Sequence, residues 1–185
     1  MRTRHIFGVA AALLAAATAL GATAGPAQAA TSGDTTTTFA ITSGPLGITV
    51  PASVSLGSGA PGTTVSGQLG TIQVTDSRAL LSASWTSSVT TTNFVTGLGT
   101  TPETIAKASV SYWSGPATAT TGTGTFTPGQ ANAGAAQAMS SSLTAFSLSA
   151  GVGNDSASWN PTVVVAAPAA AVNGTYTGTV THSVA

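Results

Sequence analysis

Residues 45–56 read PLGITVPASVSL, and apolar side chains hold every even position: Leu46, Ile48, Val50, Ala52, Val54 and Leu56. Gly47, Thr49, Pro51, Ser53 and Ser55 hold the odd positions. A period of two sends successive side chains to opposite faces, so one face of a strand is buried and the other wetted. That is the pattern of antiparallel sheet with one solvated side. Pro51 has no N–H for a ladder, so the stretch is expected as two short strands with a break, or as a sheet edge. The period recurs down the chain. Ile72 and Val74 share a face, as do Leu81, Ala83, Trp85 and Val89. So do Ala106, Ala108, Val110 and Tyr112, and finally Tyr176, Val180, His182 and Val184. Residues 162–166 carry a run of valines between Asn160-Pro161 and Pro168.

Short alternating runs punctuated by Gly, Pro, Ser and Thr imply an all-β chain: a single antiparallel β-sandwich, Greek-key-like in its connections. Threonine, abundant here, suits a pleated surface. The segment GQANAGAAQAMSSS, residues 129–142, is rich in alanine, but its glycines and serines favour a loop or a single turn. The Thr/Gly tract at 118–127 is expected as an exposed hairpin loop or a weak edge. Charge is scarce, so edge strands lack the usual lysine gatekeepers; the edges are expected to be covered or to pair with a partner.

The N-terminus has the three-part layout of a secretory signal: a basic start at residues 1–5, an apolar run at 6–20, and Ala27-Gln28-Ala29 for a peptidase. The apolar run is short for a permanent membrane helix. Residues 1–29 are therefore expected to be removed, residues 30–38 to form a flexible leader, and residues 39–185 to form the sandwich. No integral membrane segment is expected after cleavage, because the apolar residues 163–172 are few and interrupted by Pro168. There is no cysteine, hence no disulfide and no lipidated thiol. The C-terminal THSVA has neither the apolar tail nor the basic stop of a covalent wall-sorting signal, so any hold on a wall is expected to be non-covalent.

Beyond residue 29 the charges are Arg78 and Lys107 against Asp34, Asp76, Glu103 and Asp155. So few cations cannot make a phosphate-binding patch, and nucleic acid is excluded as a partner. Contacts are expected through hydroxyls, amides and aromatic faces. A catalytic role has little to stand on. His182 is the one histidine of that region, no Gly-x-Ser-x-Gly elbow presents a serine, and His182 alternates in phase with Val180 and Val184. The acids are scattered, which argues against paired carboxylates, and Asp155 in GNDS reads as an Asx turn. One histidine without thiols excludes an ordinary zinc site, and no window holds the ligands of a calcium loop. No cofactor and no enzymatic activity are expected. Among the aromatics, Trp85 is in phase with core positions. Trp113 points opposite to Tyr112 and either stacks on a sugar or partner face or covers the end of the core. Trp159 is open to both readings.

The segment GTIQVTDSRALLSASWTSSV resembles the first signature of the WxL-domain family of Gram-positive cell-surface proteins, in which a strand ending Val-x-Asp-x-Arg leads through a short loop to a Trp-x-Leu strand. NPTVVVAAPAAAVNGTYTGTVTHSV resembles that family's C-terminal signature, an apolar strand ending at a proline and then a Gly-x-Tyr strand running to a second Trp-x-Leu. The family positions here are Asp76, Arg78, Trp85, Tyr176, His182 and Val184. Ser87 stands where the first leucine is expected, His182 for the second tryptophan and Val184 for its leucine. The resemblance implies a secreted, extracellular protein bound without a covalent link to peptidoglycan or another cell-wall glycan, with other surface proteins as partners. From the residues themselves, Asp76 can accept N–H bonds in the turn after its strand, and Arg78 can reach the same carboxylate or a carbonyl. The pair then fixes the loop that delivers Trp85 inward, with Arg78 also open to a surface contact. The alternative function is a secreted structural or adhesive subunit that assembles by β-strand addition, its terminal strand exchanged between copies.

Overall fold

A computed structural model describes residues 31–185; the signal segment 1–29 lies outside the described residues. The strands in chain order are β1 (Leu46–Thr49), β2 (Thr64–Gln68), β3 (Ile72–Thr91), β4 (Phe94–Val95), β5 (Thr104–Ile105), β6 (Val110–Trp113), β7 (Ala117–Thr121), β8 (Thr125–Pro128), β9 (Gln137–Ala138), β10 (Leu143–Trp159), β11 (Thr162–Ala166) and β12 (Val180–Val184). Among the described residues all strand pairings are antiparallel, and the only helical pieces are single 3-10 turns. The chain is an all-β protein of antiparallel sheets packed on one another. Residues Ala40–Ala185 form one compact unit, and among the described residues no helix is long and apolar enough to cross a membrane.

Two long strands, β3 and β10, pair along their length and organise everything else. Their ribbon is sharply bent. Phe146 and Trp159 are both on β10, and extended chain between them would span about 43 Å at roughly 3.3 Å per residue. Their rings are instead stacked, with centroids 4.9 Å apart. The bend falls where the pairing register shifts, between Leu148 and Asp155 on β10 opposite 76–85 on β3. Ala79 and Ala150 both take φ of 55° there, left-handed backbone that a Cβ disfavours. The register shift inserts a residue, so the inward phase switches from Ile72, Val74 and Asp76 to Ala83, Trp85, Ser87 and Val89.

Folding the ribbon makes two layers from one sheet. In the first, β1 and β7 flank the paired ends 72–76 of β3 and 155–159 of β10. In the second, β12 and β8 flank the other halves. A further sheet, in the order β2-β11-β6-β9, contributes Val110, Tyr112, Val163 and Val165 to the same core. Trp85, Phe146, Trp159, Ile72 and Val74 are its main partners, all essentially buried. Trp85 also lies 6.4 Å from Phe146 and 6.5 Å from Phe126, and such aromatic pairs contribute about 0.5–1.5 kcal/mol each beyond burial.

Several sequence expectations are corrected. Asp76 and Trp85 belong to one continuous bulged strand, not to two strands joined by a loop. Leu81 points outward and is 86 % exposed, because the bend takes it off the inward phase. Strand pairing stops at Thr49 although the alternation continues; Val50 and Val54 are exposed and Leu56 half-buried. Ala106 and Ala108 are exposed beside a 3-10 turn, so only Val110 and Tyr112 of that run point in. The 118–127 tract, by contrast, bears out the edge reading: it is two edge strands, β7 and β8, each paired to β10.

Candidate functional site

The bend is held by a buried polar clip. Asp76 has no side-chain exposure, and Arg78 binds it through both fork positions: Nε donates to Oδ1 at 2.9 Å and Nη2 to Oδ2 at 2.7 Å. The backbone N–H of Arg78 adds a third bond to Oδ1 at 3.0 Å. Nη2 also donates to the carbonyl of Ser84 at 2.8 Å, so the guanidinium spans the bulge. The Arg78 bonds hold the Asp76 carboxyl below the usual carboxylate range, and the carboxylate raises Arg78 in turn.

Asp155 sits directly across the strand pair from Asp76. It is not the Asx turn read from GNDS but a β10 residue, 3 % exposed. Its Oδ1 accepts the indole N–H of Trp85 at 2.9 Å, which ties one half of the folded ribbon to the other. Its Oδ2 has no hydrogen-bond partner among the described residues. Burial pushes the Asp155 carboxyl up, the Trp85 bond pulls it down, and the Asp76 charge adds to the rise. The two carboxyls are thus driven in opposite directions by environment alone.

A second polar chain crosses the core. Trp159 is fully buried, which corrects its reading as a surface contact; its Nε1–H donates to the Tyr112 hydroxyl at 3.3 Å. That hydroxyl lies 3.2 Å from Nε2 of His182. Which of the two donates follows the His182 tautomer, and either way the ring is neutral at neutral pH. Burial lowers the His182 pKa to about 4 and raises Tyr112 beyond the ordinary tyrosine range. His182, Val180 and Val184 are half-buried on β12, which pairs with β3 so that His182 faces Val89.

Tyr176 lies outside β12. Its hydroxyl contacts the carbonyls of Pro102 and Val172, both at 3.0 Å, and accepts the Val172 N–H at 3.1 Å. Trp113 is half-buried on β6, and its ring lies against Gly115, where an added Cβ would come within 3.3 Å of it. Glu103 caps Thr100 through its backbone N–H and hydroxyl, bonds that lower its carboxyl. The structure therefore distributes the residues that carry the sequence resemblance: Arg78 holds Asp76, Asp76 lies across from Asp155, which takes the Trp85 indole, His182 goes to Tyr112, and Tyr176 stands apart. Sequence reasoning placed Tyr112 inward, as it is, but missed its bonds to Trp159 and His182, and it read Asp155 as a turn residue rather than the partner of Trp85. The in-phase run Asp155, Ala157, Trp159 was the available signal for a strand there.

Two adjoining grooves, of about 580 and 350 Å³, share Val54, Leu56, Phe94, Thr177 and Gly178. Their walls are the run after β1 and the run before β12. Ile105, Val163 and Val165 help to form the floor. Among the described lining residues none is charged at neutral pH, given His182 as above. Among the described residues no cluster of His, Cys, Asp or Glu could hold a metal ion. What the site offers is hydroxyls, backbone edges and apolar surface on an antiparallel all-β frame. Comparison with protein-family models, with curated proteins and with solved structures finds no match for the chain.

Proposed function

We propose that this protein is an exported, non-catalytic component of a Gram-positive cell surface, held without a covalent bond to peptidoglycan or another wall glycan, or to another surface protein. One observation carries the reading: among the described residues Asp76, Glu103, Asp155, Arg78 and His182 are all engaged by the fold. Asp76 and Arg78 pair with each other, Asp155 with Trp85, Glu103 with Thr100, and His182 with Tyr112. Contacts then fall to hydroxyl-rich faces and the half-exposed Trp113, a composition suited to neutral sugar rather than to ionic polymer. The WxL resemblance of the Asp76–Trp85 and Tyr176–Val184 segments supports the wall as the setting.

Sedimentation with purified insoluble wall tests this. Depletion from solution is expected, with little change between low and high salt, because screening acts only on charge. Trp113→Ala is expected to weaken it roughly fivefold to tenfold, the scale of one lost aromatic stack. No depletion, or depletion abolished by salt, would overturn the reading.

A further inference from the structure

The asparagines of the chain are Asn93, Asn132, Asn154, Asn160 and Asn173, and Asn173 alone is followed by glycine. Asparagine is among the thermally labile residues of a protein. Its side-chain carbon Cγ lies one ring closure away from the backbone nitrogen of the next residue. That closure is obstructed by a side chain on the next residue, by a hydrogen bond that holds its N–H, or by a side-chain amide that is itself held. Gly174 has no side chain, its N–H makes no hydrogen bond among the described residues, and both Asn173 and Gly174 are exposed.

The other asparagines are each hindered. Oδ1 of Asn93 accepts the Lys107 N–H at 2.9 Å, that of Asn132 the Gly134 N–H at 3.0 Å, and that of Asn160 the Gly70 N–H at 3.1 Å. Asn160 also precedes Pro161, which has no N–H to lose. Asn154 lies within β10, ahead of the buried Asp155.

Packing fixes the glycine at 174, because a Cβ there would run into Oγ1 and Cγ2 of Thr96. The loop is tied on both sides of the pair. The Val172 N–H donates to the Tyr176 hydroxyl at 3.1 Å, and Val95 and Thr177 exchange backbone bonds at 3.0 and 2.9 Å. Asn173, Gly174 and Thr175 between them make no backbone–backbone bond among the described residues. Asn173 also lines the larger groove, and no charged residue is among its described neighbours there.

We propose that Asn173 is a site of spontaneous covalent modification that gives this neutral groove a carboxylate. Solvent base takes the Gly174 N–H proton, the nitrogen bonds to Cγ of Asn173, and the Cγ–Nδ2 bond breaks with loss of ammonia. The product is a five-membered succinimide. Water then adds to one of its two carbonyls. Opening at the Cγ–N bond leaves aspartate at 173, and opening at the other C–N bond leaves isoaspartate, with the chain running through Cβ and Cγ. In sum an amide and water become an acid and ammonia, with no oxidation or reduction and no enzyme. The inference does not rest on the proposed function.

Peptide mapping by mass spectrometry tests it on the native chain held in mildly alkaline buffer. The peptide that carries Asn173 is expected to take the mass of the acid and to split into aspartyl and isoaspartyl forms, before the peptides of the other asparagines change. The intact chain should shift by one negative charge on ion exchange. Asn173→Gln, exposed and neutral, needs a larger ring and should give no such shift. An Asn173 peptide that stays an amide would overturn the proposal, as would conversion only in the urea-unfolded chain, which would mean that the folded loop holds Cγ away from the Gly174 nitrogen. Earlier conversion at another asparagine, or the same acidic shift in N173Q, would overturn it too.

Discussion

Replacing Arg78 by methionine isolates the clip at the bend. The substitution keeps much of the stem's volume and removes two charge-assisted bonds to Asp76, at 2.9 and 2.7 Å, together with the bond to the Ser84 carbonyl. Asp76 is left with one donor, the backbone N–H of residue 78. Breaking a fully buried ion pair from one side costs about 3–5 kcal/mol. Here the Arg78 side chain is 30 % exposed, so water follows it into the gap and the expected loss falls to about 2–3 kcal/mol. The sign with pH follows from Asp76, whose folded carboxyl titrates below its ordinary value. Its stabilisation is present above about pH 4 and is lost as pH falls through the folded value. The gap between wild type and R78M should therefore narrow in acid. Urea unfolding followed by tryptophan fluorescence at pH 7 and at pH 3 reads this as a shift in midpoint at constant slope. Arg78→Lys, which keeps the charge but not the fork, should lose less. A loss under about 0.5 kcal/mol at pH 7, the scale of an exposed pair, would refute the reasoning. So would a loss unchanged at pH 3.

Three further outcomes are expected. His182, with its folded pKa lowered to about 4, should be neutral down to mildly acid pH in an NMR titration. Because the unfolded histidine protonates first, stability should fall as pH drops from about 6.5 towards 4, by on the order of 2–3 kcal/mol, and His182→Asn should flatten that slope. Asp155→Asn keeps an acceptor for Trp85 and gives the partnerless side a neutral amide. As the Asp155 carboxyl is raised, its contribution is full below about pH 4 and is lost as pH rises through the folded value. D155N should thus match or exceed wild type at pH 7 in thermal unfolding, whereas a loss above about 2 kcal/mol would mean that the ionised form is needed. Ala79 and Ala150 sit at φ of 55°, so Ala79→Gly should be neutral or stabilising by up to about 1 kcal/mol and Ala79→Val should cost at least that much, both read by denaturant midpoint.

The alternation at Leu46–Thr49, the valine run of β11 and the in-phase Val180, His182 and Val184 were readable because each lies on a strand with one buried face. The same rule misplaced Leu81. A bulge shifts the phase by one residue, and nothing local in SRALLS marks where the shift falls. Periodicity also ran past Thr49, since alternation describes side chains and is blind to whether a neighbour arrives to pair with the backbone. Arg78 reaching Asp76 was legible from adjacency. Asp155 opposite Asp76 was not, because two strands far apart in sequence bring them together and the apparent turn residues of GNDS lie in the bend of β10. The groove has no local signature either. It exists only once the runs after β1 and before β12 flank the same core residues.

The folded ribbon underlies all of this: it creates the two layers, buries the clip and joins Trp159 to Tyr112 and His182. A nuclear Overhauser experiment on the aromatic protons of Phe146 and Trp159 tests it most directly. With ring centroids 4.9 Å apart, strong cross-peaks between the two rings are expected. Their absence in the folded monomer, as for a straight strand that holds the residues about 43 Å apart, would contradict the fold described here.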